Sequence, residues 1–223
     1  MTTRTSAGSR AREEVGDAPV RVVVIDDHEA VRAGLERVLS RAPGVDIVAA
    51  LADDQRLGRL VAARSVDVVI LDYDLERGDG LMACLRVKQH VAPPAVAVYS
   101  GYAGPSLAVA AAVAQADALV GKAQPVGDLL AAIRQLAAGQ RLLPALTCDL
   151  REAAAARLAG EDLAVMAMLL DGARLADIAG ALSIDGRVAA ARAQRVVGRL
   201  QVGRRVTRCS ADPMAGAAAP AHA

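Results

Sequence analysis

The sequence predicts an α/β protein in which a five-stranded, doubly wound parallel sheet is followed by a small all-α unit. Between residues 20 and 120, five short apolar runs rich in Val and Ile alternate with segments of helical periodicity. Continuously apolar runs of this kind are typical of strands that are buried on both faces of a parallel sheet. After Gly139 the helical patterns continue without a strand-like run, which predicts a second unit made of helices.

Helices are expected between the strands because apolar side chains recur there with a helical spacing. Val31 and Leu35 belong to such a stripe after the first strand, and Leu129 and Ile133 belong to another after the fifth. The first unit therefore consists of five successive strand-helix units. The predicted strands are residues 20–25, 46–51, 66–71, 95–99 and 118–120.

The chain divides into two compact units with tails, which is reasonable for 223 residues. The second unit contains three short helical patterns, broken at residues 171–172 and again at 183–186. The predicted boundaries are a flexible tail over 1–18, the sheet domain over 19–138, a partly helical linker over 139–157, a helical domain over 158–203 and a disordered tail over 204–223.

Composition excludes several classes of protein. The hydrophobic fraction of 54% excludes wholesale disorder, and no apolar run has the length of a membrane-spanning helix, about 20 residues. Aromatic residues make up 1%, which disfavours single-strand nucleic-acid binding by stacking. The three cysteines have no metal-ligand spacing, and residues 1–19 lack the apolar core of a secretion signal. We therefore expect a cytoplasmic protein that does not bind membranes.

Acidic side chains follow two strands of the predicted sheet. Asp26 and Asp27 end the first strand and Asp72 ends the third. Because the carboxyl ends of parallel strands meet at one edge, these carboxylates should converge there. A cluster of hard oxygen ligands suits Mg²⁺, which would offset their mutual repulsion. The sequence therefore predicts a magnesium site at this edge.

Two further polar residues fit phosphoryl transfer at the same edge. An ionised Asp72 beside Mg²⁺ can attack a phosphoryl group and form an acyl phosphate. Ser100, at the end of the fourth strand, and Lys122, after the fifth, would then bind phosphoryl oxygens. Of 26 basic residues only Lys88 and Lys122 are lysines. The alternative is ordinary: Asp26 and Ser100 as helix caps and Lys122 as a solvated loop residue.

Residues 20–138 resemble the receiver domain of two-component response regulators. The resemblance rests on the acidic-pair strand, residues 22–28 (VVVIDDH), and on the loop of residues 71–80 (LDYDLERGDG). It implies that Asp72 accepts phosphate from a sensor histidine kinase. The resemblance implies that Mg²⁺ is held by Asp26, Asp27, Asp72 and the backbone carbonyl of Asp74. It implies that Ser100 and Lys122 form the phosphate-binding switch. Asp74 and Tyr102 are implied to tune the lifetime of the acyl phosphate.

Three positions depart from the pattern of that family. Glu76 stands where a Pro is usual, so the loop after Asp72 should be less rigid. Leu119 occupies the position of the usual aromatic switch residue, and Ala123 follows Lys122 where Pro or Asp is common. Phosphorylation is therefore expected to couple weakly to the output unit.

An enzyme of the haloacid-dehalogenase kind is the rival interpretation, since Asp72 and Asp74 form an Asp-x-Asp motif. That family places its nucleophile on the first strand and a metal-binding acidic pair after the lysine. Here the pair Asp26-Asp27 precedes the nucleophile, and only Asp128 follows Lys122 closely. The order of the acids favours the receiver, with no enzyme activity apart from phosphorylation and dephosphorylation of its own aspartate.

Residues 158–202 resemble the LuxR-type helix-turn-helix of the NarL/FixJ group of regulators. The resemblance rests on the spacing of Gly172, Ile178, Ala179, Leu182 and Ile184. It implies a recognition helix from about residue 185 to 199. Any small helical bundle has similar apolar spacing, so the glycine and the tight turn carry most of the likeness.

The predicted recognition helix is rich in Ala and Arg. Residues 186–210 contain seven arginines and no acid, an electrostatic pattern typical of phosphate-backbone binding. Ala offers base edges little beyond contact with a thymine methyl group, so sequence readout is weakened. The predicted contacts to double-stranded DNA are made by Arg187, Arg192, Arg195 and Arg199.

Together the two units predict a phosphorylation-controlled, DNA-binding regulator of transcription that forms a homodimer when active. The alternative is a receiver joined to a degenerate helical module that acts by protein contact or independently of phosphorylation. The Ala-rich helix motivates that alternative.

Overall fold

The computed structural model describes residues 18–63, 65–76 and 78–201. Within them the first unit is a five-stranded parallel sheet of order β2-β1-β3-β4-β5. The strands are β1 (Val20–Ile25), β2 (Val45–Leu51), β3 (Val68–Asp72), β4 (Ala95–Ser100) and β5 (Ala118–Gly121). This confirms the predicted fold class, and the strand bounds agree with the prediction to within two residues.

Helices cover both faces of the sheet, as the apolar pattern predicts. The helices of the first unit are α1 (Glu29–Leu39), α2 (Leu57–Ala62), α3 (Gly80–Lys88), α4 (Pro105–Val113) and α5 (Val126–Ala137). Val22 and Val24 of β1 pack with α1 and α5, whereas Val23 and Ile25 pack with α2, α3 and α4. Successive side chains of a strand point to opposite faces, so a continuously apolar strand fills both cores.

The C-terminal helices are α6 (Cys148–Ala155), α7 (Gly160–Leu170), α8 (Leu175–Leu182) and α9 (Gly186–Leu200). The breaks between α7, α8 and α9 fall where the sequence predicts them. Gly172, with φ of 83°, and Ser183, with φ of 51°, form the two turns in left-handed backbone conformation. This confirms the helical second unit, and α6 lies in the segment expected to be a partly helical linker.

The second unit packs against the first through α4. Helix α4 contacts α6, α7 and α9, and α9 also contacts α3. The apolar cores of the two units are continuous on this side of the sheet. The proposed boundaries at residues 138 and 158 remain a prediction, because one core spans them.

The predicted tails, residues 1–18 and 204–223, lie outside the described residues apart from Ala18. Among the described residues, no helix combines the length and the apolar character needed to cross a membrane.

Candidate functional site

The carboxyl edge of the sheet brings Asp26, Asp72 and Lys122 together. The ammonium group of Lys122 lies 2.8 Å from Asp26 Oδ2 and 3.0 Å from Asp72 Oδ2. Asp26 and Asp72 are almost completely buried, with exposed fractions of 1% and 2%. One ammonium thus bridges two buried carboxylates that belong to neighbouring strands, β1 and β3.

Burial and charge shift the proton affinities of this group. Burial raises the pKa of Asp72, and the nearby charge of Asp26 adds to the effect, while the hydrogen bond and charge of Lys122 oppose it. For Lys122, burial acts to lower the pKa, but the two carboxylates outweigh it and raise the pKa. Lys122 is therefore a fixed positive charge at physiological pH.

Asp27 completes the acidic cluster. Its Oδ2 accepts a hydrogen bond from the backbone N–H of Glu76 at 2.5 Å, which ties the loop after β3 to the acidic pair. Asp27 Oδ1 and Asp72 Oδ2 are buried carboxylate oxygens; the first lies 2.8 Å from His28 Nδ1 and the second 3.0 Å from Lys122 Nζ. Three carboxylates in one largely buried cluster, with one lysine among them, suit a hard divalent cation.

The loop after Asp72 is held close to helix α3. The backbone N–H of Asp74 donates to Asp72 Oδ1 at 3.3 Å. A Cβ atom at Gly80 would lie 2.1 Å from the carbonyl oxygen of Asp72, so the start of α3 requires glycine there. Asp79 caps α3 by accepting from the backbone N–H of Met82 at 3.1 Å.

Ser100 faces its own loop instead of Asp72. Its hydroxyl donates to the carbonyl oxygen of Tyr102 at 3.0 Å and accepts from the backbone N–H of Tyr102 at 3.1 Å. The Tyr102 side chain is 60% exposed. The backbone N–H of Lys122 donates to the carbonyl oxygen of Ser100 at 2.7 Å, so the loops after β4 and β5 are linked.

Of the four arginines on α9 that are predicted to contact DNA, two form ion pairs with acids of α7 and two do not. Arg192 lies 2.9 Å from Glu161, and Arg195 lies 2.9 Å from the buried carboxylate of Asp162. Glu161 and Asp162 are on α7, so the neighbouring helix supplies the acids that the α9 segment lacks. Arg187 and Arg199 are exposed and make no ion pair within the described part of the chain.

Polar contacts fasten the turn between α7 and α8 to the first unit. The side-chain amide of Gln115 donates to the carbonyl oxygen of Ala173 at 2.8 Å. Gln89 accepts from the backbone N–H of Leu175 at 2.7 Å through its side chain and from Arg174 through its carbonyl oxygen. The end of α9 is also held, because Gln201 donates to the α3 cap residue Asp79 at 2.5 Å.

Motif reasoning did not reveal these interdomain contacts, although α4 carried a signal for them. Its sequence, PSLAVAAAV, is apolar on all sides, and a helix of that kind is buried on all sides. A helix that covers a sheet but faces water would have a polar outer face. His28 was also missed as a cluster member; its side chain lies 2.8 Å from Asp27.

A parallel sheet with buried acids and a lysine at its carboxyl edge is the arrangement expected of a receiver domain, and comparison with known proteins shows that family. Residues 22–134 match the family model "Response regulator receiver domain". The match covers half of the chain, and the chain belongs to this family.

Relatives and solved structures extend the similarity beyond that domain. The response regulator UvrY of Escherichia coli O6:H1 is 23% identical over 193 residues, which cover 82% of this chain and 88% of that protein. A LuxR-family two-component response regulator from Aurantimonas sp. SI85-9A1 has a TM-score of 0.53 at 28% identity, covering 60% of this chain and 94% of that one. RcsB from Salmonella enterica serovar Typhimurium, bound to promoter P1flhDC with the phosphomimetic BeF3-, has a TM-score of 0.52 at 21% identity, covering 84% and 94%. These matches confirm the resemblance to NarL/FixJ-type regulators.

Proposed function

We propose that this chain is a phosphorylation-controlled, DNA-binding regulator of transcription that accepts phosphate at Asp72 from a sensor histidine kinase. The observation that carries the proposal is the bridge from Lys122 to the buried carboxylates of Asp26 and Asp72, beside Asp27. Membership of the receiver family supports it, as does the likeness of 84% of the chain to the promoter-bound regulator RcsB.

The chemistry at Asp72 is nucleophilic. One carboxylate oxygen of Asp72 attacks phosphorus, an oxygen-phosphorus bond forms, and the bond from phosphorus to the donor's leaving group breaks with its electron pair. Lys122, already 3.0 Å from Asp72 Oδ2, would pair with a phosphoryl oxygen. Ser100 must first leave its bonds to Tyr102 before its hydroxyl donates to the phosphoryl group.

Asp26, Asp27, Asp72 and the backbone carbonyl of Asp74 would hold Mg²⁺. An ion held there would supply charge neutralisation for the phosphoryl oxygens. The Glu76 amide occupies Asp27 Oδ2, which leaves Asp27 Oδ1 for the ion, and Lys122 pairs with Asp26. Tyr102 and Asp74 flank the site and would control the access of water to the acyl phosphate.

The output step follows from the packing of α9 against α3 and α4. A recognition helix in the major groove, which is about 12 Å wide, has a phosphate backbone on either side. The receiver helices beside α9 would therefore compete with duplex DNA. Phosphorylation would favour the population in which α9 is free, and homodimerisation would place two such helices on one duplex.

In that state Arg187 and Arg199 would contact phosphates, because both are already exposed and free of acids among the described residues. Arg192 and Arg195 would contact phosphates only after breaking their ion pairs with Glu161 and Asp162. The protein would act in the cytoplasm, with no catalysis beyond its own phosphorylation and dephosphorylation.

The second candidate is an output unit that acts by protein contact. It is favoured by one observation: the side chains of Val188, Ala190 and Ala191 contribute no hydrogen-bond donor or acceptor to α9. Binding through arginine to DNA phosphates would fall steeply with salt, whereas an apolar protein contact would not.

Labelling with a small-molecule phosphodonor tests the receiver part of the proposal. Wild-type protein incubated with acetyl phosphate and Mg²⁺ should gain one phosphoryl group on the peptide that contains Asp72. Asp72→Asn should abolish the gain, and Asp46→Asn, a change of an exposed aspartate on β2, should leave it unchanged. Incorporation that survives Asp72→Asn would contradict the proposal.

A further inference from the structure

The imidazole of His28 lies at the acidic cluster and has no role so far. His28 Nδ1 is 2.8 Å from Asp27 Oδ1, 3.5 Å from Asp26 Oδ1 and 4.0 Å from Asp72 Oδ2. One potential ligand atom from each of Asp26, Asp27, His28 and Asp72 lies within 4.8 Å of the other three. The cluster is therefore a mixed nitrogen and oxygen donor set.

The imidazole of His28 is in direct contact with a buried oxygen of Asp27, since His28 Nδ1 lies 2.8 Å from Asp27 Oδ1. The backbone of His28 is held in place, because its N–H donates to Asp26 Oδ1 at 2.9 Å. The imidazole thus approaches Asp27 Oδ1 from a fixed backbone position at the start of α1.

Two of these three distances match those between ligands of one octahedral ion. With metal-ligand bonds of about 2.1 Å, neighbouring ligand atoms lie about 3 Å apart and opposite ones about 4.2 Å apart. His28 Nδ1 lies 2.8 Å from Asp27 Oδ1 and 4.0 Å from Asp72 Oδ2, an oxygen that Lys122 also contacts at 3.0 Å. The nitrogen is therefore placed as a neighbour of the first oxygen and nearly opposite the second.

We propose that His28 is a metal ligand that makes this site prefer first-row transition-metal divalent ions over Mg²⁺. Imidazole is a good ligand for such ions, whereas Mg²⁺ favours carboxylate, carbonyl and water oxygens. The inference deepens the proposed function, since it concerns the cation of the same site. It requires no change in how Asp72 accepts phosphate.

The test uses full-length protein loaded with Mn²⁺ alone, without a phosphodonor. Electron spin echo spectroscopy of the bound Mn²⁺ reports a directly coordinated nitrogen. Competition between Mn²⁺ and Mg²⁺ reports their relative affinities. The variants are His28→Ala and, as a matched control, His90→Ala, which changes a histidine at the end of α3 near Arg86 and Val87.

Wild type and His90→Ala should show nitrogen coupling that His28→Ala lacks. His28→Ala should weaken Mn²⁺ binding by about tenfold or more, with a change in Mg²⁺ affinity several times smaller. Absence of nitrogen coupling in the wild type, or equal weakening of both ions in His28→Ala, would overturn the inference.

The outcome can be separated from failure of the proposed function. Wild-type protein that binds Mg²⁺ and is labelled at Asp72, but shows no nitrogen coupling with Mn²⁺, would overturn only the role of His28. Protein that binds neither ion would overturn both. Circular dichroism of His28→Ala should match the wild type, because the His28 side chain is 64% exposed and supports no core packing.

Discussion

The side-chain amide of Gln115 donates a hydrogen bond to the carbonyl oxygen of Ala173 at 2.8 Å, joining the sheet domain to the turn between α7 and α8. Gln115 is 8% exposed and adopts a left-handed backbone conformation with φ of 63°. The two units are therefore fastened by a buried polar contact as well as by the apolar face of α4.

Gln115→Asn should weaken this docking. Asn tolerates the left-handed conformation but is too short to make the same bond. Loss of one such bond is worth about 1 kcal/mol, or roughly fivefold in the docking equilibrium. Because weaker docking would free α9, the DNA affinity of the unphosphorylated protein should rise by up to about fivefold. Fluorescence anisotropy measures that affinity. Gln135→Asn, at an exposed position on α5, is the matched control, and equal affinities for all three proteins would contradict the role assigned to the contact.

Arg195→Ala should destabilise the helical unit, whereas Arg199→Ala should not. The buried carboxylate of Asp162 loses its ion pair in the first variant, and Arg199 has no such pair among the described residues. Thermal unfolding followed by circular dichroism checks this, with a lower Tm expected for Arg195→Ala alone. A wild-type Tm for Arg195→Ala would mean that Asp162 finds another partner.

Arg187→Ala and Arg199→Ala should weaken DNA binding with no change in Tm. Each removes a potential phosphate contact, which should reduce the slope of the logarithm of affinity against the logarithm of salt concentration by about 1. Anisotropy titrations over a range of NaCl concentrations measure that slope. Unchanged slopes in both variants would favour the protein-contact alternative.

Glu76→Pro should raise the affinity for Mg²⁺. Pro has no N–H, so the variant loses the hydrogen bond from residue 76 to Asp27 Oδ2, which frees that oxygen for the cation. Glu76→Ala keeps the amide and is the matched control. Isothermal titration with MgCl₂ should show a gain of a few fold for the Pro variant only; a gain for both would assign the effect to the lost glutamate charge.

Asp67 gives the stability a pH dependence. The hydrogen bond from Arg21 lowers the pKa of Asp67, and Arg21 Nη2 lies 2.9 Å from Asp67 Oδ1. The ion pair therefore contributes fully to the free energy of unfolding above the ordinary carboxyl pKa, about 4. This contribution is lost as pH falls through the lowered pKa of the folded state. Because both side chains are more than a third exposed, Asp67→Asn should cost at most about 1 kcal/mol at pH 7.

Urea unfolding at pH 7 and below pH 4 measures this difference. The free energies of unfolding of wild type and Asp67→Asn should approach one another at the lower pH, while Asp46→Asn should behave as wild type at both. A difference that persists in acid would show that the pair's effect is not electrostatic.

The strands were predictable because each is a continuous apolar run, and their carboxyl ends locate Asp26, Asp72 and Lys122 without coordinates. The apolar pattern predicts that the third strand begins at residue 66, whereas β3 begins two residues later, at Val68. Val66 is apolar and buried, but it precedes Asp67, which pairs with Arg21 before the ladder begins at Val68. A burial pattern cannot distinguish a buried residue inside a ladder from one just before it.

The contacts that sequence reasoning missed depend on orientation between elements. Glu161 and Asp162 lie far from Arg192 and Arg195 in sequence, so only the packing of α7 against α9 brings the charges together. Similarly, a motif comparison identifies Glu76 by its side chain, whereas the structure uses its backbone N–H. Glu76 in place of the usual Pro predicts a less rigid loop. Unlike Pro, Glu76 also has a backbone N–H, which donates a hydrogen bond to Asp27 Oδ2.

Control of the output unit by Asp72 is tested by measuring DNA affinity with and without acetyl phosphate and Mg²⁺. Duplexes recovered by selection from random sequence would serve as probes for wild type and Asp72→Asn. We expect the phosphodonor to tighten DNA binding by the wild type and to leave that of Asp72→Asn unchanged. Binding that is the same in both proteins under both conditions would contradict control of the output unit by Asp72.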